Sequence, residues 1–230
     1  ISAETNRYLT QVIGGYRTIR LLGAGAMGRV YLAEHERLGR RAAVKVLDGW
    51  DPELVSRLFC EARAVAQIAD EHLVDVYDFV ADPQRGVVAY IMEYLAGEDL
   101  RKILQREKVL APARVARLAA QICEGLAAAH KVGVVHRDLK PDNIVVVRRG
   151  GASDFIKLVD FGIAQFAGPV AHRTRAGIAL GSAAYMAPEQ AEGKRVDGRA
   201  DLYAVGVVMH ELLTGEVPFL GKTSRETLEI

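Results

Sequence analysis

The chain has 230 residues, and half of them are hydrophobic, which predicts a globular protein with one large domain or two small lobes. Its 30 basic and 29 acidic residues give a net charge of +1, which argues against a nucleic-acid-binding or anionic membrane-binding surface. The two cysteines, Cys60 and Cys123, are too few for a disulfide framework. We expect each to be a small buried hydrophobic residue in a reducing compartment.

The first part of the chain predicts a polar leader followed by strands. Residues 1–15 are polar and mixed, and we expect them to precede the fold. Three short antiparallel strands are predicted at 16–23, 29–34 and 42–47, because apolar residues alternate there and tight turns separate the runs.

A helix is predicted over 51–69, with Asp51 as N-cap and Pro52 at its first position. Its apolar residues share one face: Leu54, Leu58, Val65 and Ile68. Glu61 falls on the same face, where a carboxylate needs a partner.

The character of the sequence changes near residue 95. Strand-like text at 72–80 and 86–95 gives way to predicted helices at 112–131 and 199–214, stopped by glycines. This order predicts an α+β chain with an N-lobe at 16–94 and a C-lobe at 95–230.

The last predicted helix carries the longest apolar run, which is too short to span a bilayer and contains His210 and Glu211. It also places Asp201 on one face with Val205, Val208 and Leu212, a second acid on an apolar stripe.

The stretch "GAGAMG" spaces Gly23, Gly25 and Gly28 as G-x-G-x-x-G, which lets backbone amides approach phosphate oxygens. A dinucleotide-binding unit would use the same glycines before a helix, with an acid such as Asp48 about 20 residues later. Strand-like text follows the glycines instead, which favours a strand, loop and strand covering phosphates.

Lys45 lies in a strand with apolar neighbours on both sides. It could be an edge-strand lysine that points to water. Glu61 is, however, a buried-face acid that lacks a partner, and a pair of the two would hold the ammonium group where it can clamp phosphates.

The run "VVHRDLKPDNIVVV" places polar side chains between two valine clusters, which indicates a loop that faces a cleft. Asp138 can accept a hydroxyl proton, and Lys140 can neutralise a transferring phosphoryl group. Asn143 and Asp160, in "VDFG", offer oxygen ligands for Mg²⁺.

These motifs, with "AVK", "MAPE" and "DLYAVG", resemble the catalytic domain of eukaryotic-type serine/threonine protein kinases, particularly bacterial ones, from about residue 16 to 219. The resemblance implies a bilobal kinase fold with a truncated C-lobe. It also implies transfer of the γ-phosphoryl group of ATP to Ser/Thr hydroxyls of protein substrates, with ATP and Mg²⁺ bound.

The resemblance also assigns roles by position. It implies these ATP-binding residues: Gly23, Ala24, Gly25, Ala26, Met27, Gly28, Val30, Ala43, Lys45, Glu93, Leu95 and Val145. Met92 would be the gatekeeper, and His136 and Phe161 would stack with Val65 in the regulatory spine. Asp201 would anchor the catalytic loop.

Regulation is also implied by the resemblance. Arg137 before the catalytic aspartate suggests activation by phosphorylation, with Thr174 as the expected site and Ser182 on the substrate platform. Gln165 replaces a basic residue found in many bacterial relatives, which weakens the expected phosphate pocket. Glu189 lacks the arginine with which relatives pair it.

Two alternatives remain at this point: an ATP-binding pseudokinase or scaffold, and a small-molecule kinase of similar fold. The expected partners are protein substrates and a second kinase copy for autophosphorylation, with no nucleic acid and no membrane contact from this segment. The expected location is cytoplasmic, although other segments of a longer protein could anchor it.

Overall fold

A computed structural model gives the fold of the chain, and its described residues are 7–25, 28–47, 55–56, 59, 63–161 and 180–230. Two compact units divide the chain. The first contains residues up to 67 together with 74–95, and the second contains 68–73 and 96–230. The predicted division into a strand-rich part and a helical part is confirmed.

The first unit contains a six-stranded antiparallel sheet in the order β1-β2-β3-β4-β6-β5. Its strands are β1 (Val12–Ile13), β2 (Tyr16–Gly25), β3 (Gly28–His35), β4 (Arg41–Leu47), β5 (Val76–Asp82) and β6 (Val87–Glu93). The three strands predicted between residues 16 and 47 are β2, β3 and β4. Of the helix predicted over 51–69, the structure describes only parts, and residues 55–56, 59 and 63–66 among them are helical.

Alternation along the strands gives this sheet two different faces. One face forms a buried core in which Tyr31, Val44 and Ile91 are fully covered. Tyr8 and Ile13, only 5% and 2% exposed, pack into the same core. The leader predicted for residues 1–15 is therefore wrong from residue 7 onward. Burial of the Tyr8 and Ile13 side chains in the core stabilises the fold, whereas a solvated leader would leave both exposed to water.

The second unit combines a three-stranded antiparallel sheet with helices. Its strands are β7 (Gly97–Asp99), β8 (Ile144–Arg149) and β9 (Ala152–Leu158). Its helices are α1 (Leu100–Glu107), α2 (Pro112–Lys131), α3 (Leu180–Ala183), α4 (Pro188–Ala191), α5 (Gly198–Thr214) and α6 (Ser224–Glu229), with a 3₁₀ turn at Pro141–Asn143.

The core of this unit lies where α2 packs against α5. The α5 residues predicted to share an apolar stripe, Val205, Val208 and Leu212, are all buried. As predicted, both helices end at glycines: Gly133 and Gly215 adopt φ values of +78° and +84°, which other residues adopt only with strain. Cys123 of α2 is exposed rather than buried, because it lies on the solvent side of the helix.

The segment 68–73 belongs to the second unit although it precedes β5 in sequence. The His72 carbonyl accepts from the Leu158 N–H at 2.7 Å, and the Leu73 carbonyl accepts from the buried Lys157 ammonium at 2.8 Å. The His72 ring also stacks on Phe155, with centroids 4.6 Å apart. The units therefore do not divide at a single point near residue 95.

Among the described helices, none has the length and hydropathy needed to cross a membrane.

Candidate active site

The polar loop between α2 and β8 brings three of the predicted site residues together. The Lys140 ammonium donates to Asp138 Oδ2 at 2.8 Å, and the Asn143 amide donates to the Asp138 carbonyl at 2.7 Å and to its Oδ2 at 3.2 Å. Lys140 also donates to the Ser182 hydroxyl at 3.1 Å. Asp138 and Lys140 keep 24% and 20% of their side chains exposed, so solvent or a substrate can reach both.

Asp201 in the first turn of α5 holds the start of this loop. Its carboxylate is 1% exposed and accepts the N–H groups of His136 and Arg137, both at 2.8 Å. His130 Nε2 lies 2.7 Å from the same carboxylate. A buried carboxylate requires such partners, and they account for an acid on the apolar stripe of this helix.

His136 is fully buried beneath the loop, and its ring contacts Phe161 with centroids 4.5 Å apart. Desolvation lowers the pKa of His136, and it outweighs the opposing effects of Asp201 and Asp138. The neutral ring can therefore donate from Nε2 to the Val159 carbonyl, 3.0 Å away. This contact ties the loop to the strand end that carries Asp160.

Two of the four described non-glycine residues with positive φ lie in the same place. Arg137 and Asp160 have φ values of +65° and +63°, which non-glycine residues adopt at a cost of about 1 to 3 kcal/mol. The Asp201 carboxylate accepts from the Arg137 N–H, and the Gln190 side-chain amide donates to the Arg137 carbonyl at 2.7 Å. Strain held in place on both sides is typical of a site whose geometry must be exact.

Asn143 and Asp160 provide a donor set suited to magnesium. The Asn143 side-chain nitrogen donates to Asp138, so the side-chain oxygen of Asn143 points away from Asp138. The Asn143 backbone carbonyl accepts from the Val159 N–H at 3.0 Å, next to Asp160 in sequence. One amide oxygen and one carboxylate match the few protein ligands of a cation that keeps its waters. In the described part of the chain, no three His, Cys, Asp or Glu side chains form a metal cluster, and this donor set needs none.

In the first unit, the glycine stretch lies where β2 and β3 meet, with Gly25 paired to Gly28. A Cβ on Gly28, at φ +134°, would lie 2.0 Å from the Val46 carbonyl oxygen, so only glycine fits there. A Cβ on Gly23 or Gly25 would meet nothing within 4 Å, which leaves room for a ligand to approach the backbone. A strand follows these glycines, so the dinucleotide-binding alternative is excluded.

Lys45 lies on the sheet face opposite the core described above. It pairs with Val30 on β3 and Tyr90 on β6, and Ala43 lies two residues before it on the same face. Lys45 is 6% exposed, so it is not an edge lysine in water. The predicted roof residues Val30 and Ala43 thus share one face with the predicted phosphate-binding lysine.

Comparison with known proteins agrees with this geometry, since the protein kinase domain family matches residues 16–230. The chain belongs to the protein kinase family. It is 50% identical over 209 residues to serine/threonine-protein kinase Pkn1 of Myxococcus xanthus, covering 90% of this chain and 30% of that protein. It is 41% identical to pkn3 of the same organism over 225 residues, covering 94% of this chain and 41% of that protein.

A third relative comes from a different organism. Serine/threonine-protein kinase PknB of Mycobacterium leprae is 39% identical over 206 residues, covering 87% of this chain and 32% of that protein. The chain therefore spans less than half the length of these relatives.

Of the other residues predicted to line the nucleotide site, some lie in the first unit and one lies in the second. Met92 is buried in β6, Glu93 ends that strand, and Leu95 is half-buried. The Glu93 N–H donates to the Asp75 carbonyl at 2.8 Å. Val145 is half-buried on β8.

Several predicted residues lie outside the described residues: Ala26, Met27, Glu61, Gln165 and Thr174. Their predicted roles, including the pairing of Glu61 with Lys45, stay predictions. Val65 is described and is half-buried in the first unit.

The second unit also contains a buried polar cluster that was not predicted from the sequence. Glu211 of α5 is 5% exposed and accepts from the Tyr185 hydroxyl and from Arg101 of α1, both at 2.5 Å. Arg101 also donates to Asp142 of the catalytic loop at 3.3 Å. Burial and the bond to Glu211 raise the pKa of Tyr185 against the opposing effect of Arg101, so the phenol stays protonated and buried.

Proposed function

We propose that the chain transfers the γ-phosphoryl group of ATP to serine and threonine hydroxyls of protein substrates. The observation that carries the proposal is the contact of Asp138 with Lys140 and Asn143 in a loop anchored by Asp201. The names of the relatives, all serine/threonine-protein kinases, support the choice of substrate hydroxyl.

In this proposal Asp138 is the catalytic base. Its carboxylate accepts the proton of the substrate hydroxyl as the oxygen attacks the γ-phosphorus, the bond from that phosphorus to the bridging oxygen breaks and ADP leaves. Lys140 offsets the negative charge of the transferring group. The Ser182 hydroxyl, bonded to Lys140, positions that ammonium beside Asp138.

Each unit contains its own groups suited to ATP chemistry. In the first unit, Lys45 and the backbone around Gly23 and Gly25 would bind phosphate groups. In the second unit, Asn143 with Asp160 would hold Mg²⁺. Bound magnesium supplies charge neutralisation of the phosphate oxygens. Cytoplasmic location of this segment is part of the same proposal.

Regulation by Thr174 is a further part of the proposal. Arg137 is held by Asp201 on one side and Gln190 on the other, so a phosphate that binds its guanidinium would act on a residue next to the catalytic base. We propose that two copies of the kinase phosphorylate each other, which predicts an initial rate that rises with the square of protein concentration.

The test is mass-spectrometric mapping of phosphosites on dephosphorylated protein after incubation with ATP and Mg²⁺. An Asp138→Asn variant, which keeps the size of the side chain, is the matched control. New phosphoserine or phosphothreonine in the parent alone is expected, with Thr174 among the sites. Folded protein that binds ATP but transfers no phosphate would instead support a scaffold, and transfer to small alcohols alone would support a small-molecule kinase.

A further inference from the structure

A pocket of about 540 Å³ lies in the second unit, behind the start of the catalytic loop. We call it the 194–198 pocket, and its lining residues are His130, Gly133, Val135, Arg137, Gln190, Lys194, Arg195, Val196, Asp197 and Gly198. The proposed phosphotransfer residues Asp138, Lys140 and Asn143 do not line it. Its volume falls within the range of about 300 to 1,000 Å³ that is typical of small-molecule sites.

The rim of this pocket is cationic. Arg195 is exposed, and its guanidinium makes no hydrogen bond within the described part of the chain. Lys194 pairs with Glu192, and both side chains of that pair are more than half exposed, so a ligand can replace it at little cost.

Among the lining residues that the structure describes, the one carboxylate already has a hydrogen-bond partner. Asp197 accepts from the backbone N–H and from the guanidinium of Arg199, each at 3.0 Å. Arg199, outside the pocket, is the main partner of this carboxylate, and Arg195 of the lining attracts it more weakly. With Arg137, Lys194 and Arg195 against one carboxylate, the described lining still carries an excess of positive charge.

The inner wall connects the pocket to the catalytic loop. His130 Nε2 lies 2.7 Å from Asp201, whose carboxylate holds the N–H groups of His136 and Arg137. On another side of the pocket, the Gln190 amide donates to the Arg137 carbonyl at 2.7 Å. A ligand in the pocket would thus contact Gln190, which binds the strained backbone of Arg137 directly, and His130, which contacts the Asp201 carboxylate that holds the Arg137 N–H.

We propose that the 194–198 pocket binds a small molecule that carries a phosphate monoester group. A dianion suits two adjacent long cationic side chains, and the planar guanidinium of Arg195 matches two phosphate oxygens at once. The remaining volume accommodates the rest of a small metabolite. This site is separate from the one proposed for ATP, and its occupancy is reported at the His136 and Arg137 amides.

The experiment is a titration of the ¹⁵N-labelled chain with glycerol 3-phosphate, followed by amide chemical shifts. The titration is made without magnesium, and sodium chloride at equal ionic strength is titrated in parallel. We expect saturable shifts at residues 130–137 and 194–198 with the phosphate ester and not with chloride. Because no phosphotransfer is measured, a failure here is distinguishable from a failure of the proposed activity.

Two double variants make the test specific. Lys194→Gln with Arg195→Gln should weaken the binding at least tenfold. Lys131→Gln with Arg225→Gln removes the same charge from exposed positions outside the pocket and should leave the dissociation constant within twofold. Shifts that grow linearly with ionic strength, or equal binding by both variants, would overturn the proposal.

Discussion

Replacement of Asp201 by asparagine tests whether this carboxylate holds the catalytic loop. An amide keeps one oxygen, so at least one of the three contacts at 2.7 to 2.8 Å is lost and an NH₂ group faces a backbone N–H. Hydrogen bonds to charged groups contribute about 1.5 to 3 kcal/mol each, and with 1% exposure no water can replace them. We expect Asp201→Asn to lower the free energy of unfolding by about 3 kcal/mol.

The same helix offers a matched control. Asp197 is the N-cap of α5 and is more than half exposed, and its carboxylate is hydrogen-bonded to Arg199. Asparagine caps helices as well as aspartate, so Asp197→Asn should lower the free energy of unfolding far less than Asp201→Asn. Urea unfolding gives both free energies, and hydrogen exchange reports the amides of His136 and Arg137. Equal losses in the two variants, with those amides still protected, would refute the role given to Asp201.

Three further predictions follow from the packing. Gly28→Ala should destabilise the first unit by about 2 kcal/mol in thermal unfolding, whereas Gly23→Ala should change it by less than about 0.5 kcal/mol, and equal effects would contradict the steric assignment. Because the pKa of buried His136 is lowered, the unfolded state binds its proton more readily, so stability should fall by at most about 1.4 kcal/mol per pH unit below pH 6.5; an unchanged slope in His136→Gln would count against this. Glu211→Leu should cost about 3 kcal/mol in urea unfolding, with part recovered by adding Arg101→Leu, and no recovery would show that the pair is not the cause.

Much of the fold could be predicted because its signals are local. Alternating apolar residues identify β2 to β4. Glycines 133 and 215 mark the ends of α2 and α5, where the backbone adopts the left-handed conformation that favours glycine. The residues 7–15 were missed because Tyr8 and Ile13 are too few to form a recognisable period. Only the sheet they cover shows that they are core.

The candidate site was predictable to a different degree. The spacing of Asp138, Lys140 and Asn143 along one loop limits how far apart they can lie, so their contact follows from the sequence. The contact of Glu211 with Arg101 joins residues 110 positions apart, and no local pattern specifies it. The acid itself had a usable signal, since Glu211 lies on the buried side of α5 as Asp201 does, but the sequence does not identify its partner.

These two acids explain why α5 is not uniformly apolar. They are ten residues apart, which along a helix corresponds to about 15 Å and to faces that differ by roughly 80°. Asp201 therefore accepts a hydrogen bond from His136 of the catalytic loop. Glu211 instead accepts one from Tyr185, which lies just before α4 in sequence. Hydrophobic residues at both positions would bury the helix equally well but would leave these two segments without a fixed attachment. One rigid helix thus fixes the positions of both segments, at the free-energy cost of burying two carboxylates.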